Sequence, residues 1–428
     1  MRITLKNIAK VKTADIDIKG ITVIAGDNNT GKSTIGKALF SIFNGLNNIE
    51  QKLYMDKFLS LENIIYTFCT NSFSSPFIDQ KNKNLIIHDI DTNILIKELL
   101  KVNTINRNNE LEIESVLNKY LSSEVRKAKG LNEWSELIKK VQEILLVNME
   151  DYIKHILSNE LFNEFNGQTI NIFEALEGII SVSISNQEVV VKINSDNTIF
   201  IKSLPKSQIN VNLVYIDNPF ILDDVLNDLF VDHSIYTNHR KNTLEKLVIS
   251  KSINNIDSIV SNSKFQKVMD LINGIVPGNL DFANSTLFYV YNKKRLNAKN
   301  LSTGIKTFAI LKKLLLSGGI SNNGVIILDE PEIHLHPEWQ LILAELIVLL
   351  QKEFNLHILI TTHSPYFLNA IEVYVAKHNI NDKCKYYLSK CIENSESVTF
   401  DDVSNEIDLI YKKLVKPLQK LEDLRYRL

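Results

Sequence analysis

Four short stretches carry residue types suited to phosphate chemistry, and they follow one order along the chain: Gly26-Asp27-Asn28-Asn29-Thr30-Gly31-Lys32-Ser33-Thr34, Ser302-Thr303-Gly304, Asp329-Glu330 and His363. In the first, Gly26 and Gly31 bound a loop whose backbone can adopt angles and approach distances that a Cβ obstructs. Successive amides of such a loop, through Asn28, Asn29 and Thr30, converge on a phosphate, helped by the positive end of a helix beginning near Lys32. Lys32 suits a bridge between β- and γ-phosphates, and the hydroxyl of Ser33, next to Thr34, suits Mg²⁺. A nucleoside triphosphate, ATP, with Mg²⁺ is the ligand this pattern predicts.

The acids come from a later stretch. Val325 to Leu328 is a short apolar run that reads as a central strand and ends in Asp329-Glu330, so both carboxylates emerge at the carboxyl edge of a sheet, beside the phosphate loop. Asp329 fits Mg²⁺, and Glu330 is placed to polarise an attacking water, with Pro331 restricting its backbone. Leu356 to Ile360 also reads as a strand and runs into Thr361-Thr362-His363-Ser364, which brings His363 to the same edge as a donor to the γ-phosphate or the water. His334 and His336 alternate near Glu332 and Glu338, but two histidines at i, i+2 before Pro337 read as packing and hydrogen-bonding groups rather than a metal site.

Ser302-Thr303-Gly304 precedes Ile305 to Leu316, whose apolar spacing is helical and which stops at Gly318-Gly319. Ser302 or Thr303 is the expected cap, and the free amides around Gly304 make an anion site. The chain already owns one phosphate cradle. A second anion site before the acidic strand therefore points to the nucleotide of a neighbouring copy, and a dimer with two sandwiched nucleotides follows.

The elements that must position these residues are legible in part. Ile3 to Leu5, Ala14 to Ile18 and Ile21 to Ala25 read as strands, and Ile35 to Phe43 as a helix. From Ile49 to about Gly167 the pattern is helical, interrupted by the polar stretch Thr70 to Asn84 around Ser74-Ser75-Pro76. Its clearest helix spaces Trp134, Leu137, Ile138, Val141, Ile144 and Leu145 by threes and fours. Glu188 to Ile193, a turn at Asn194 to Asn197, and Thr198 to Ile201 predict a β-hairpin. Leu213 to Ile216 marks a return to the main sheet, Asp224 to Ile275 reads as mostly helical, and Leu287 to Tyr291 as a strand. In the tail, Ile407, Ile410, Leu414, Leu418 and Leu421 fall on one stripe, with Pro417 as a kink.

Composition sets outer bounds. At 428 residues, 44% hydrophobic and 23% charged, the chain can bury a large core. No run of roughly 18 apolar residues occurs and the N-terminus lacks a secretory apolar stretch, so the expected compartment is the cytoplasm, with no membrane partner. Cys69, Cys384 and Cys391 are expected to be reduced thiols. A net charge of −2 provides no overall footprint for nucleic acid, which would need a local patch such as Lys293-Lys294-Arg295 or Lys383 to Lys390.

The set of motifs resembles the ABC-type ATPases, and its spacing is similar to the SMC and RecF-like branch, where a large insertion separates phosphate loop from signature; here roughly 270 residues do so. Asp329-Glu330-Pro331-Glu332-Ile333-His334-Leu335-His336-Pro337-Glu338 resembles the run of OLD-like ATPases, many of which serve bacterial anti-phage defence. The resemblance implies an α/β P-loop head of mixed sheet flanked by helices, split over 1–48 and 205–390, with an inserted helical lobe at 49–204 ending in the hairpin and a helical tail at 391–428. It implies Lys32 and Ser33 for phosphate and Mg²⁺, Asp329 for Mg²⁺, Glu330 as catalytic base, His363 as γ-phosphate switch, and Ser302 and Gly304 for the partner's ATP.

Departures from that pattern shape the expected function. OLD nucleases carry a TOPRIM nuclease domain after the histidine motif; about 65 residues follow His363, so no nuclease activity is expected. Between Ile49 and Gly167 no heptad pattern is sustained, so long SMC arms are not expected. The loop glutamine of ABC proteins has two candidates, Gln51 and Gln80. The leading expectation is a homodimeric, Mg²⁺-dependent ATPase that controls a separate effector protein. A DNA-repair clamp and a transporter nucleotide-binding subunit are the alternatives.

Overall fold

Strand β3 (Ile21–Ala25) is buried at every position, as a parallel strand covered on both faces must be. The computed structural model describes residues 1–71, 92–102, 109–121, 123–173, 176–184, 187–205, 208–228, 237–248, 262–284 and 286–426. Around β3 the sheet is parallel, with β13 (Cys384–Cys391) on one side and β12 (His357–Thr362), β11 (Val325–Asp329) and β7 (Leu213–Ile216) in turn on the other. The registers align the carboxyl ends: Ala25 faces Thr362 and Leu388, and Asp329 faces Thr361. The loops after β3, β11 and β12 therefore share one edge, the place where open α/β sheets bind ligands.

Beyond β13 the sheet turns mixed. β14 (Val398–Asp402) runs antiparallel to β13 and parallel to β2 (Val11–Asp17). An antiparallel series continues through β1 (Arg2–Ile8), β4 (Glu177–Ile184), β5 (Gln187–Asn194) and β6 (Ile199–Ser203), giving eleven strands among the described residues. A separate antiparallel sheet holds β8 (Asn279–Ala283), β9 (Thr286–Tyr291) and β10 (Lys294–Asn297). Helices Thr303–Leu316, Pro337–Phe354 and Pro365–Lys377 bring Phe308, Leu343, Ile347, Phe367 and Ile371 into one core with Ile326, Ile358 and Ile360 of the strands. The architecture is the α/β P-loop fold with a mixed, helix-flanked sheet.

Residues Asn48–His155 form a second compact unit. There the helices Ile49–Asn71, Thr92–Leu99, Glu110–Tyr120 and Ser123–Leu146 bury Leu61, Ile65, Leu95, Ile113, Leu117, Trp134 and Val141 in a core of their own. The ring of Phe68 tilts against Trp134 at 6.0 Å between centroids, and Tyr152 donates to Asp56 at 2.6 Å.

Three expectations need correction. The hairpin does not end an inserted lobe: a further strand, β4, pairs with β1 and carries β5 and β6 into the main sheet. Its run Ile180-Ser181-Val182-Ser183-Ile184 alternates apolar and polar as a half-buried strand does, but alternation does not record which strand it will lie beside. The span 391–428 is not wholly helical, because β13 ends on its first residue, Cys391, and β14 lies within it. In the tail, Ile410 is buried, but the apolar stripe does not hold. The helix Asp408–Leu414 ends, Pro417 sits in the first turn of a new helix Lys416–Arg425, and Leu418 and Leu421 are exposed. The break expected around Ser74-Ser75-Pro76 lies outside the described residues.

Candidate functional site

The loop 26–31 connects β3 to the helix Lys32–Leu46, and it begins at a residue no other side chain fits. Gly26 has φ +155°, and a Cβ there would stand 1.8 Å from Ser389 Oγ. The helix starts at Gly31 with no side-chain cap and no acid in its first turn, so its first amides and its positive end are available to an anion. Asn28 and Asn29 are exposed at the loop tip, Thr30 and Thr34 are buried, and Ser33 is half-buried.

Lys32 is buried, and its ammonium donates to the carbonyls of Gly26 at 3.1 Å and Asp27 at 2.8 Å. It also pairs with Glu330 Oε1 at 3.2 Å. His363 Nδ1 lies 3.3 Å from that same oxygen without hydrogen-bond alignment. Three residues separated widely in sequence thus meet on one carboxylate, as the strand-end positions predict. Glu330 holds φ +47°, a left-handed angle rare for a residue with a Cβ. Pro331 restricts that backbone but does not by itself choose the angle. Instead the backbone N–H of Glu330 is held by the Thr361 carbonyl and hydroxyl, both at 3.1 Å, and the turn after the strand takes the left-handed residue.

Asp329 is gripped from two sides: Thr361 Oγ1 donates to Oδ1, and Tyr215 donates to Oδ2 at 3.2 Å. Burial, and then the Asp329 charge, pushes the Tyr215 phenol far up, so it stays protonated and remains a donor. Tyr215 stacks on the imidazole of His239 at 4.3 Å between centroids. His239 in turn lies 2.7 Å from Glu164 through Nδ1 and 3.3 Å from Asp217 through Nε2, and Arg240 Nη2 donates to Asp217 at 2.7 Å. Burial alone would lower the His239 pKa, but its bonds to Asp217 and Glu164 outweigh that and raise it. Burial would raise Asp217, yet His239 and Arg240 hold it down at about 2.

Glu332, two residues past the strained Glu330, is buried and accepts from Thr362 Oγ1. Burial pushes its carboxyl above the usual range against that hydrogen bond. Thr362 also accepts from Ser364 N at 3.0 Å, and Ser364 Oγ caps the helix Pro365–Lys377 by accepting from Phe367 N at 3.1 Å. His336 caps the helix Pro337–Phe354 at Glu338 N, and His334 packs edge-on to Phe220 at 5.5 Å.

Ser302 is the residue before the helix Thr303–Leu316, but its side chain makes no capping bond, contrary to expectation; the first-turn amides keep their donors. Gly304 has a packing reason of its own, since a Cβ would meet the Trp339 ring at 2.8 Å. Among the described residues no hydrogen bond or ion pair joins Ser302, Thr303 or Gly304 to the phosphate loop of the same chain. Gln51 lies on a helix of the second unit, and Gln80 lies outside the described residues. Tyr215, His239 and Ser389 sit in no motif, and Thr361, though it opens the run before His363, is given no role by the sequence; each acts through a neighbour in space.

The phosphate loop at the carboxyl edge of a parallel sheet, with acids and a histidine delivered by the adjacent strands, defines the P-loop ATPase fold of α/β type. The chain belongs to the AAA ATPase domain family, whose model matches residues 1–368. It is 31% identical over 140 residues to the retron Ec83 probable ATPase of Escherichia coli, covering 29% of this chain and 25% of that protein. It is 24% identical over 183 residues to the retron Vc95 probable ATPase of Vibrio cholerae serotype O1 biovar El Tor, covering 40% and 32%. The matches therefore span a third or less of these relatives. Among solved structures, an SmcHead bound to the C-winged helix domain of ScpA aligns over 94% of this chain and 97% of its own, at 11% identity and TM-score 0.45. An SMC head domain from Thermotoga maritima aligns over 94% and 98%, at 10% identity and TM-score 0.38. Among the described residues no helix is long and apolar enough to cross a membrane.

Proposed function

We propose that this chain binds ATP with Mg²⁺ and hydrolyses it, and that two copies close head to head around the nucleotides. The observation that carries the reading is the meeting of Lys32 and His363 on one oxygen of Glu330, at the uncapped start of the phosphate-loop helix. The residues fit the ligand. A buried ammonium now served by its own loop's carbonyls is free to turn to phosphate oxygens, and the Asp329 carboxylate is held in direction by two hydroxyl donors. Magnesium, when bound, supplies charge neutralisation at the phosphate oxygens, and Ser33 and Asp329 would hold it.

The chain's own groups then divide the work. The amides of Asn28 to Gly31 and the Lys32 ammonium hold the phosphates. Glu330 Oε1 orients a water and accepts its proton, and the His363 imidazole steadies the γ-phosphate. The uncapped helix start at Ser302, Thr303 and Gly304 serves the nucleotide of the partner copy, which agrees with its lack of any bond to its own loop. Closure is a population shift driven by the difference in ATP affinity between open and closed states.

The retron probable ATPases and the OLD-like motif run support a cytoplasmic role in anti-phage defence, in which opening and closing hold or release a separate effector protein. Nucleic acid is not part of this reading: Arg295 pairs with Asp281, Lys385 with Asp402 and Lys390 with Asp401, so these basic stretches carry their own counter-charges. The test is Glu330→Gln in Mg·ATP, followed by light scattering. A nucleotide-loaded dimer that does not turn over supports the reading, whereas a variant that holds nucleotide yet stays monomeric overturns the shared pocket.

A further inference from the structure

The phosphate loop is held from behind by residues that lie past the family match, which ends at 368. Ser389, on β13, is fully buried, and its hydroxyl lies 2.7 Å from that of Thr30. Thr30 spends its own hydrogen on the Asp27 carbonyl at 2.7 Å, so Ser389 is the donor. The same Oγ occupies the space a Cβ at Gly26 would need. From the helix Asp408–Leu414, Lys413 donates to the Ser389 carbonyl at 2.9 Å and stands 3.4 Å from the Asp27 carboxylate. That helix is itself fixed: Ile410 is buried and Tyr411 donates to Glu372 on the helix after His363. Three loop residues, Gly26, Asp27 and Thr30, therefore meet one serine and one lysine from the C-terminal segment.

We propose that Ser389 and Lys413 are positioning residues that hold the phosphate loop open for its ligand and neutralise Asp27, whose carboxylate would otherwise repel a phosphate chain. The consequence for affinity rests on the ATP reading above. An exposed ion pair contributes little to folding. Beside a polyanion the same charge acts on binding, because an uncompensated carboxylate in a phosphate loop opposes every phosphate within a Debye length. The clasp also makes the C-terminal helices a point from which loop geometry, and hence nucleotide affinity, can be set.

The experiment compares wild type, Lys413→Ala, Lys413→Arg, Ser389→Ala and Lys413→Ala combined with Asp27→Asn. It reads amide exchange of residues 26–31 without nucleotide, and dissociation of a fluorescent ATP analogue with KM and kcat for ATP. Lys413→Ala and Ser389→Ala should speed loop exchange, and Lys413→Ala should weaken nucleotide binding about fivefold, with the loss falling on KM more than on kcat. Lys413→Arg should restore both, and Asp27→Asn should remove most of the Lys413→Ala penalty. Unchanged exchange in both single variants overturns the clasp, as does an affinity loss that Asp27→Asn leaves intact. A wild type that binds no nucleotide refutes the ATP reading instead, and loop exchange then decides the clasp by itself.

Discussion

The ammonium of Lys32 lies 3.2 Å from Glu330 Oε1, although the two residues come after β3 and β11, which are not neighbours in the sheet. β12 runs between them and delivers His363 to the same oxygen at 3.3 Å. In the chain alone this carboxylate is the counter-charge of a nearly buried cation. A triphosphate in the loop would take over that duty and leave Glu330 free to act on water, so the pair links occupancy of the loop to release of the base.

Lys32→Ala removes the cation that a bound phosphate chain would meet. Charge-assisted hydrogen bonds of this kind are worth about 2 kcal/mol, roughly 30-fold in Kd. Titration with a fluorescent ATP analogue should show at least that loss. Retained affinity would mean that the loop amides alone carry the ligand.

Tyr215→Phe removes one of the two donors that direct Asp329. The ring and its stacking on His239 remain, so folding should be little affected. The Mg²⁺ concentration for half-maximal ATPase should rise about fivefold, the equivalent of one hydrogen bond of about 1 kcal/mol. An unchanged Mg²⁺ dependence would detach Asp329 from the metal.

Ser302→Arg places a bulky cation at the exposed helix start without disturbing the loop of the same chain. Nucleotide binding by the monomer should persist, while turnover falls about tenfold or more with the lost closed population. Normal turnover would be incompatible with a site shared between copies.

His239 has a pKa raised above its unfolded value of 6.5, so its contribution to stability is complete below about pH 6.5 and is lost as pH rises through the folded pKa. Asp217 has the opposite sign: its contribution is present above its unfolded value of 3.8 and is lost as pH falls through about 2. His239→Gln leaves Glu164 buried without its cation and should cost about 3 kcal/mol near pH 6, shrinking at pH 9. Urea unfolding at the two pH values measures this, and a pH-independent difference would contradict the charged state assigned to His239.

Local chemistry makes some parts of the fold and site legible in the sequence. The apolar run Ile21–Ala25 before a glycine-bounded loop, and Val325–Leu328 before two acids, each mark a buried strand together with the functional group at its end. Long-range pairing is not legible. β4 alternates apolar and polar over Ile180 to Ile184, yet nothing in that pattern places it beside β1, and β14 makes sense only against β2, from the opposite end of the chain. The capping expectation at Ser302 fails for a related reason, since cap geometry depends on a rotamer that the residue type does not specify.

By itself, then, the chain's order of residues determined the phosphate loop, the acids, the histidine and the strands that end in them, because each is encoded within a few consecutive positions by backbone freedom, apolar period and charge. Only the tertiary structure decided that Glu330 takes a left-handed angle, that Tyr215 and Thr361 direct Asp329, and that Ser389 and Lys413 back the loop. Those relationships arise from strand order and register, which bring together side chains far apart in the chain, and no local pattern records which strand will lie beside which.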